Sequence, residues 1–146
     1  DTDRSRGLGD VYKRQIPADI RLLMKQVERI GRKEDRIMLN IAVNYGGRQE
    51  IAESVREIAE DVKKGKIKPS EIDMDTISSH LYTAGMPDPD LIIRPSGEQR
   101  LSNFLLWQSA YAEFWYSDVL WPDFTEEDFV EALRAYEHRS RRFGGV

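Results

Sequence analysis

Two arginines and a serine occupy one short polar loop that follows an apolar run. The run 91–93 ends at Arg94, and Arg100 and Ser102 come next. A guanidinium presents a planar fork of N–H donors that matches phosphate oxygens. A serine that begins a helix leaves backbone N–H groups pointing toward an anion. This pattern predicts an anion pocket, with salt bridges to acids such as Glu98 and a purely capping role for Ser102 as the simpler alternatives.

Glu113 follows in an aromatic segment. One continuous helix from Ser102 would place Glu113 about 16 Å away at roughly 1.5 Å per residue, too far to share one small anion. A helix that breaks near Ala110 and returns as a strand would let them meet. A carboxylate is costly to bury unless it is paired or metal-bound, and Mg²⁺ commonly binds one or two carboxylates plus substrate phosphates. Glu113 is therefore a candidate Mg²⁺ ligand or the partner of an arginine.

The hydrophobic pattern predicts the elements that position these residues. Short apolar runs at 37–43 and 91–94 predict buried strands, and the aromatic run 113–119 predicts another. Periodic apolar residues predict intervening helices, which begin near Pro17, Arg48, Asp73 or Asp75, Ser102 and Thr125. The helix from Arg48 is expected to end at Gly65, and its inward face is expected to consist of Ile51, Val55, Ile58, Ala59 and Val62. Alternation of helices and strands is typical of an α/β domain with a mainly parallel sheet flanked by helices.

Two predicted loops lie where ligands bind in such sheets, at the carboxyl ends of strands. The first is 44–48, which contains Gly46 and Gly47, and the second is 94–102. The paired glycines indicate either a phosphate loop or a strand-to-helix turn that needs positive φ. In the final helix, the Thr125–Asp128 spacing resembles a capping box, and Phe129, Leu133 and Tyr136 form the predicted apolar stripe.

Composition limits the function further. The chain has 146 residues, 40% of them hydrophobic and 33% charged, which suits one domain or part of one. Without cysteine there are no disulfides or thiolate metal sites, and two histidines cannot form an all-histidine site. The net charge of −4 argues against bulk nucleic-acid binding but not against a local phosphate pocket.

Residues 1–15 differ from the rest of the chain. They show neither periodicity nor a motif, and they resemble translated sequencing-adapter read-through; a disordered native terminus is the alternative. We therefore expect 1–15 to be a non-native or disordered segment and 16–146 to carry the domain.

From residue 16 to residue 146 the sequence resembles bacterial cis-prenyltransferases of the undecaprenyl diphosphate synthase type. The matching segments are 39–48, 91–114, 118–124 and 141–145. The resemblance implies an enzyme that adds isopentenyl diphosphate in cis geometry to farnesyl diphosphate. Its product would be undecaprenyl diphosphate, the precursor of the lipid carrier for cell-wall synthesis. It also implies Mg²⁺ as cofactor, a homodimer, no nucleic-acid partner, and a cytoplasmic enzyme that contacts the membrane peripherally through its lipid product.

The resemblance also assigns roles to individual residues. Arg94, Arg100 and Ser102 match the motif that grips isopentenyl diphosphate, with help from the backbone of Leu101. Glu113 matches the family's Mg²⁺ carboxylate. A tail motif that reaches the partner subunit's diphosphate site is matched by Arg142 and Gly144. Where some relatives have a metal-proximal histidine this chain has Gln99, so no metal role is expected there.

One family segment has no counterpart in the sequence. The family begins with a strand and the motif Met-Asp-Gly-Asn-Gly-Arg-Trp, whose aspartate works with Mg²⁺ on the allylic diphosphate. The sequence also lacks the helices that wall the family's lipid tunnel. We therefore regard 16–146 as the C-terminal part of a cis-prenyltransferase domain, assign no catalytic residue within it, and expect it to be inactive alone. The alternatives are a non-catalytic subunit of a heteromeric enzyme, an unrelated phosphate-binding α/β module, or a functionless gene fragment.

Overall fold

Two units divide the chain, Asp1–Ala84 and Gly85–Val146. The computed structural model describes Asp19 and residues 38–139. The segment 1–15, the tail residues Arg142 and Gly144, and all of the helix predicted from Pro17 except Asp19 lie outside the described residues.

In the first unit, helix α1 spans Gly47–Lys63, which confirms the predicted helix. Its end is a Schellman turn, in which the Gly65 N–H bonds to the carbonyl of Val62 at 2.9 Å and the Lys66 N–H to that of Asp61 at 2.9 Å. Gly65 has φ 71°, a conformation that glycine adopts without steric cost. The sequence therefore specified this end of the helix correctly.

The buried face of α1 differs from the predicted one. It consists of Gly47, Glu50, Ser54 and Ile58, whereas Val55, expected to face inward, is 54% exposed. The inner face is polar because the Glu50 carboxylate accepts hydrogen bonds from the Tyr82 N–H and the Tyr45 hydroxyl. Hydrophobic periodicity alone does not detect a face that is held by hydrogen bonds.

A second helix, α2, spans Met74–Ser79. Asp73 is its N-cap, as one of the two predicted alternatives had it, and accepts a hydrogen bond from the Thr76 N–H at 2.8 Å. This bond and the Thr76 hydroxyl hold the pKa of Asp73 below its ordinary value. The helix ends before Leu81, which is buried.

The strand predicted at 37–43 is wrong over its described part. Residues 38–43 form no strand, and Met38, Leu39 and Ile41 are 78%, 77% and 61% exposed. A strand needs a neighbouring strand to satisfy its backbone groups. The described residues of this unit form no such neighbour. In the loop that follows, the positive φ of 54° belongs to Asn44, whereas Gly46 is extended.

In the second unit, strand β1 spans Leu91–Arg94 and strand β2 spans Glu113–Tyr116. They pair in parallel, with Leu91 beside Glu113 and Arg94 beside Tyr116. The parallel pairing, together with the helices along the chain, confirms the predicted α/β class. Over the described residues the sheet contains these two strands.

The helix predicted from Ser102 to Ala110 is wrong. Ser102, Asn103 and Leu105 have φ of 48°, 68° and 44°, and a right-handed helix requires φ near −63°. The connection instead contains a turn closed by Phe104 N–H and Leu101 carbonyl at 2.9 Å. A 3₁₀ helix at Gln108–Tyr111 then leads into β2. Ser102 therefore caps no helix.

Helix α3 spans Glu126–Glu137 and begins with the predicted capping box. The Thr125 N–H donates to the Asp128 carboxylate at 2.8 Å. The predicted apolar stripe is only partly correct, because Phe129 and Leu133 are 47% and 40% exposed while Ala132 is fully buried. Before the helix, residues Trp121–Asp123 form a 3₁₀ helix.

Thr125→Ala is expected to lower the free energy of unfolding by about 1 kcal/mol because it removes the N-cap acceptor. Urea denaturation measures the change, and Thr125→Ser, which keeps the hydroxyl, should stay close to wild type.

The backbone N–H and then the hydroxyl of Thr125 hold the pKa of Asp128 below its ordinary 3.8. A carboxyl with a lowered pKa stabilises the fold above its unfolded pKa, and this contribution is lost as the pH falls through the folded value. The cost of Thr125→Ala should therefore shrink in acid; a cost independent of pH would contradict this account.

Candidate anion-binding site

The carboxyl ends of β1 and β2 are joined by backbone hydrogen bonds that continue beyond the strands. The Ser117 N–H bonds to the Arg94 carbonyl at 3.1 Å, the Gly97 N–H to the Ser117 carbonyl at 2.8 Å, and the Ser96 N–H to the Val119 carbonyl at 2.8 Å. The loop after Arg94 is thus fastened to the segment after β2. Ligands of parallel sheets bind at this edge.

An open pocket of about 300 Å³ lies beside this loop. Arg94, Arg100 and Leu101 line it, and an Nη2 of Arg94 donates to the Ser102 Oγ at 3.4 Å. Arg94 is half-buried at the end of its strand. Arg94, Arg100, Leu101 and Ser102, which the sequence indicated as phosphate-binding residues, therefore lie close together. Ser102 contributes its hydroxyl group but no helix dipole.

The remaining wall of the pocket is largely apolar. Aliphatic and aromatic side chains form it, among them Ile92, Phe104, Phe114, Tyr116 and Trp121. The rings of Phe114 and Tyr116 stack with centroids 6.0 Å apart. Two guanidinium groups beside an apolar wall suit a small ligand with an anionic head and a hydrocarbon part.

Arg100 also forms the salt bridge that sequence reasoning offered as the simpler alternative, with Glu98 as its partner. The side chains are 69% and 36% exposed. Exposed ion pairs contribute roughly 0–1 kcal/mol, so a doubly charged phosphate ligand can displace Glu98. The salt bridge and an anion-binding role are therefore compatible.

Glu113 does not line this pocket. It pairs with Leu91, three residues before Arg94, which places it about 10 Å along the strands at roughly 3.3 Å per residue. Alternation of side chains puts it on the opposite face from Phe114 and Tyr116. The Arg139 Nη1 donates to its Oε2 at 2.7 Å, so Glu113 has the arginine partner that was its alternative role.

A metal site is not assembled by the described residues alone. None of them forms a group of three or more His, Asp or Glu that could hold an ion. The Glu113 side chain is 31% exposed, and one such carboxylate suits only a metal whose other ligands are phosphate oxygens and water. In this arrangement a metal on Glu113 would not contact a phosphate held by Arg94 of the same chain.

His80 has partners that sequence spacing did not predict. Its Nδ1 lies 2.8 Å from the Thr76 carbonyl, and its Nε2 lies 3.5 Å from the Asp61 carboxylate. A hydrogen bond from Lys66 is the main reason that the pKa of Asp61 lies below its ordinary value. These contacts link the ends of α1 and α2, so His80 has a structural role.

Over the described part of the chain, no helix is long and apolar enough to cross a membrane.

Comparison with protein families gives one match over nearly the whole chain. The model of undecaprenyl diphosphate synthases matches residues 4–144. An isoprenyl transferase from Clostridium perfringens is 60% identical over 110 residues, which cover 75% of this chain and 44% of that protein. A tritrans,polycis-undecaprenyl-diphosphate synthase (geranylgeranyl-diphosphate specific) from Methanopyrus kandleri is 51% identical over 129 residues, covering 88% and 48%. The chain spans about half the length of the curated relatives it matches.

A solved structure shares the architecture. Lavandulyl diphosphate synthase from Lavandula x intermedia, in complex with dimethylallyl diphosphate, superimposes with a TM-score of 0.87 and 41% identity. The match covers 94% of this chain and 58% of that one. The similarity therefore extends over both units of the chain.

Proposed function

Because the chain belongs to the undecaprenyl diphosphate synthase family of prenyltransferases, we propose that the Arg94 pocket binds isopentenyl diphosphate for cis-prenyl chain elongation. One observation carries the proposal: Arg94 and Arg100 line a single pocket whose remaining wall is largely apolar. Isopentenyl diphosphate has the matching chemistry, a diphosphate joined to a five-carbon hydrocarbon.

The pocket residues would act by binding and orientation. In elongation, the double bond of isopentenyl diphosphate attacks the allylic carbon, the allylic diphosphate leaves, and a proton is lost from the new chain. Arg94 and Arg100 would hold the isopentenyl diphosphate group by charge-assisted hydrogen bonds, aided by the Ser102 hydroxyl and the Leu101 backbone. Fixing one reactant in this way lowers the entropy cost of the bimolecular step.

Farnesyl diphosphate as the allylic partner and undecaprenyl diphosphate as the product are also proposals. The description of the matching family supports the undecaprenyl product, and the farnesyl partner rests on the sequence resemblance. The relatives differ in their allylic substrates, since the archaeal protein is named as geranylgeranyl-diphosphate specific and the plant structure contains dimethylallyl diphosphate. We propose that residues outside the Arg94 pocket set the allylic specificity.

The remaining proposals rest on the family resemblance. Mg²⁺ is the proposed cofactor and would supply electrostatic stabilisation of diphosphate charge, with Glu113 as one carboxylate ligand. Arg142 and Gly144 are proposed to reach the diphosphate site of a partner subunit in a homodimer. A cytoplasmic enzyme with peripheral membrane contact through its product completes the proposal.

Calorimetric titration of the 146-residue chain with isopentenyl diphosphate tests the proposal. We expect saturable binding at one site per chain, and competition by inorganic diphosphate, because both carry the group that the arginines recognise. With radiolabelled isopentenyl diphosphate, farnesyl diphosphate and Mg²⁺, we expect no product, because relatives with the full activity are about twice as long. Absence of binding would overturn the pocket assignment, and product formation would overturn the expected inactivity.

A further inference from the structure

We propose that Gly97 is a positioning residue that fixes the spacing of the two phosphate-binding arginines through a backbone clamp. The clamp consists of Ser96 and Gly97 on the loop after β1, and of Ser117 and Val119 after β2. This inference rests on the proposed function, because it concerns the same pocket.

The clamp holds the middle of the chain segment that joins Arg94 to Arg100. Two hydrogen bonds of 2.8 Å, from the Gly97 N–H to Ser117 and from the Ser96 N–H to Val119, extend the β1–β2 ladder into the loop. Arg94 is fixed by the strand itself. Only residues 98 and 99 separate the clamp from Arg100, so the clamp determines where the backbone of Arg100 lies.

Gly97 is favoured by the backbone at this point. Its φ is 70°, and a Cβ added there would lie 3.2 Å from the Asp118 Oδ1. A side chain would therefore add conformational strain and crowd the segment that holds the loop. The preceding residue, Ser96, is itself left-handed at φ 79°. Consecutive left-handed residues persist where surrounding contacts fix them, and such strain is often found at functional sites.

Order in the loop before binding should raise affinity. A ligand that binds a flexible loop must offset the entropy lost when the loop becomes ordered. With the clamp formed, Arg100 starts near its binding position although its side chain is mostly exposed. Loosening the clamp should weaken diphosphate binding even though neither arginine is changed.

Gly97→Ala tests this, with Gly85→Ala as a matched control in the same unit. Gly85 has φ 83°, and nothing lies within 4 Å of an added Cβ. Both variants introduce a left-handed alanine, so both should lower the thermal midpoint. Only Gly97→Ala is expected to weaken inorganic diphosphate binding, by roughly tenfold, since ordering one flexible side chain on binding costs up to about that factor. Gly97→Ala combined with Asp118→Ala, which removes the crowding but not the φ strain, should recover part of the affinity.

The outcomes separate the clamp from the proposed function. If Arg94→Ala weakens diphosphate binding but folded Gly97→Ala does not, or Gly85→Ala loses as much affinity as Gly97→Ala, the clamp is overturned and the proposed function stands. Unchanged binding in both Gly97→Ala and Arg94→Ala overturns the proposed function and the clamp with it. If Gly97→Ala does not fold, amide hydrogen exchange of the wild-type chain decides. The Ser96 and Gly97 N–H groups should exchange as slowly as those of β1, and fast exchange would overturn the inference.

Discussion

Arg94→Ala is expected to weaken the binding of isopentenyl diphosphate by about a hundredfold. Hydrogen bonds to charged groups contribute roughly 1.5–3 kcal/mol each, and about 1.4 kcal/mol corresponds to a factor of ten. Arg94 is half-buried at the end of β1 and is held by Ser102, so little side-chain entropy is lost on binding. Arg100 is mostly exposed and must leave Glu98, so Arg100→Ala should cost less, about tenfold.

Two further variants sharpen this test by calorimetry. Arg94→Lys keeps the charge but loses the planar fork, and it should recover only part of the affinity. Arg134, an exposed residue of α3 that does not line the pocket, serves as the matched control, and Arg134→Ala should bind like wild type. The assignment of the pocket is wrong if Arg94→Ala and Arg100→Ala both retain wild-type affinity.

Glu113→Gln and Arg139→Met are expected to shift metal affinity in opposite directions. Glu113→Gln removes the carboxylate charge, so metal binding in the presence of diphosphate should weaken by roughly tenfold or more. Arg139→Met releases the Glu113 carboxylate from the guanidinium that now lies 2.7 Å away, so metal should bind at lower concentration. Mn²⁺, followed by electron paramagnetic resonance, serves as the probe for the Mg²⁺ site.

The same pair of variants tests the competing role of Glu113 as a structural ion-pair partner. In that role, Glu113→Gln and Arg139→Met would lower the thermal midpoint by similar amounts and leave Mn²⁺ binding unchanged. That result would remove Glu113 from the metal assignment. The geometry makes this test necessary, because Glu113 lies at the opposite end of the strand pair from Arg94.

Helix ends were the most predictable features of this fold because their causes are local. Asp73 and Thr125 bond backbone groups three residues ahead, and Gly65 takes the left-handed conformation that closes a helix. Each of these helix caps needs only a few residues that are neighbours in the sequence. The sequence patterns for α1, α2 and α3 were therefore sufficient, apart from small differences in length.

Predictions failed where partners lie far apart in the chain. The apolar run at 38–43 has strand character, but a strand forms only with a neighbour to pair with. Burial of Glu50 depends on the distant Tyr82 N–H. No periodicity encodes such a contact, so the predicted inner face of α1 was correct at Ile58 but missed Glu50 and wrongly included Val55, which is exposed.

By itself, the sequence determined the chemistry available to this protein: two guanidinium groups, a hydroxyl and a carboxylate in a family-specific order. The tertiary structure alone decided which of them meet. The parallel pairing of β1 and β2 fastens the loop that carries Arg94, Arg100, Leu101 and Ser102, and the same register carries Glu113 to the other end. The physical reason is that side-chain types are local properties, whereas strand register and left-handed loop residues fix distances between groups remote in the chain.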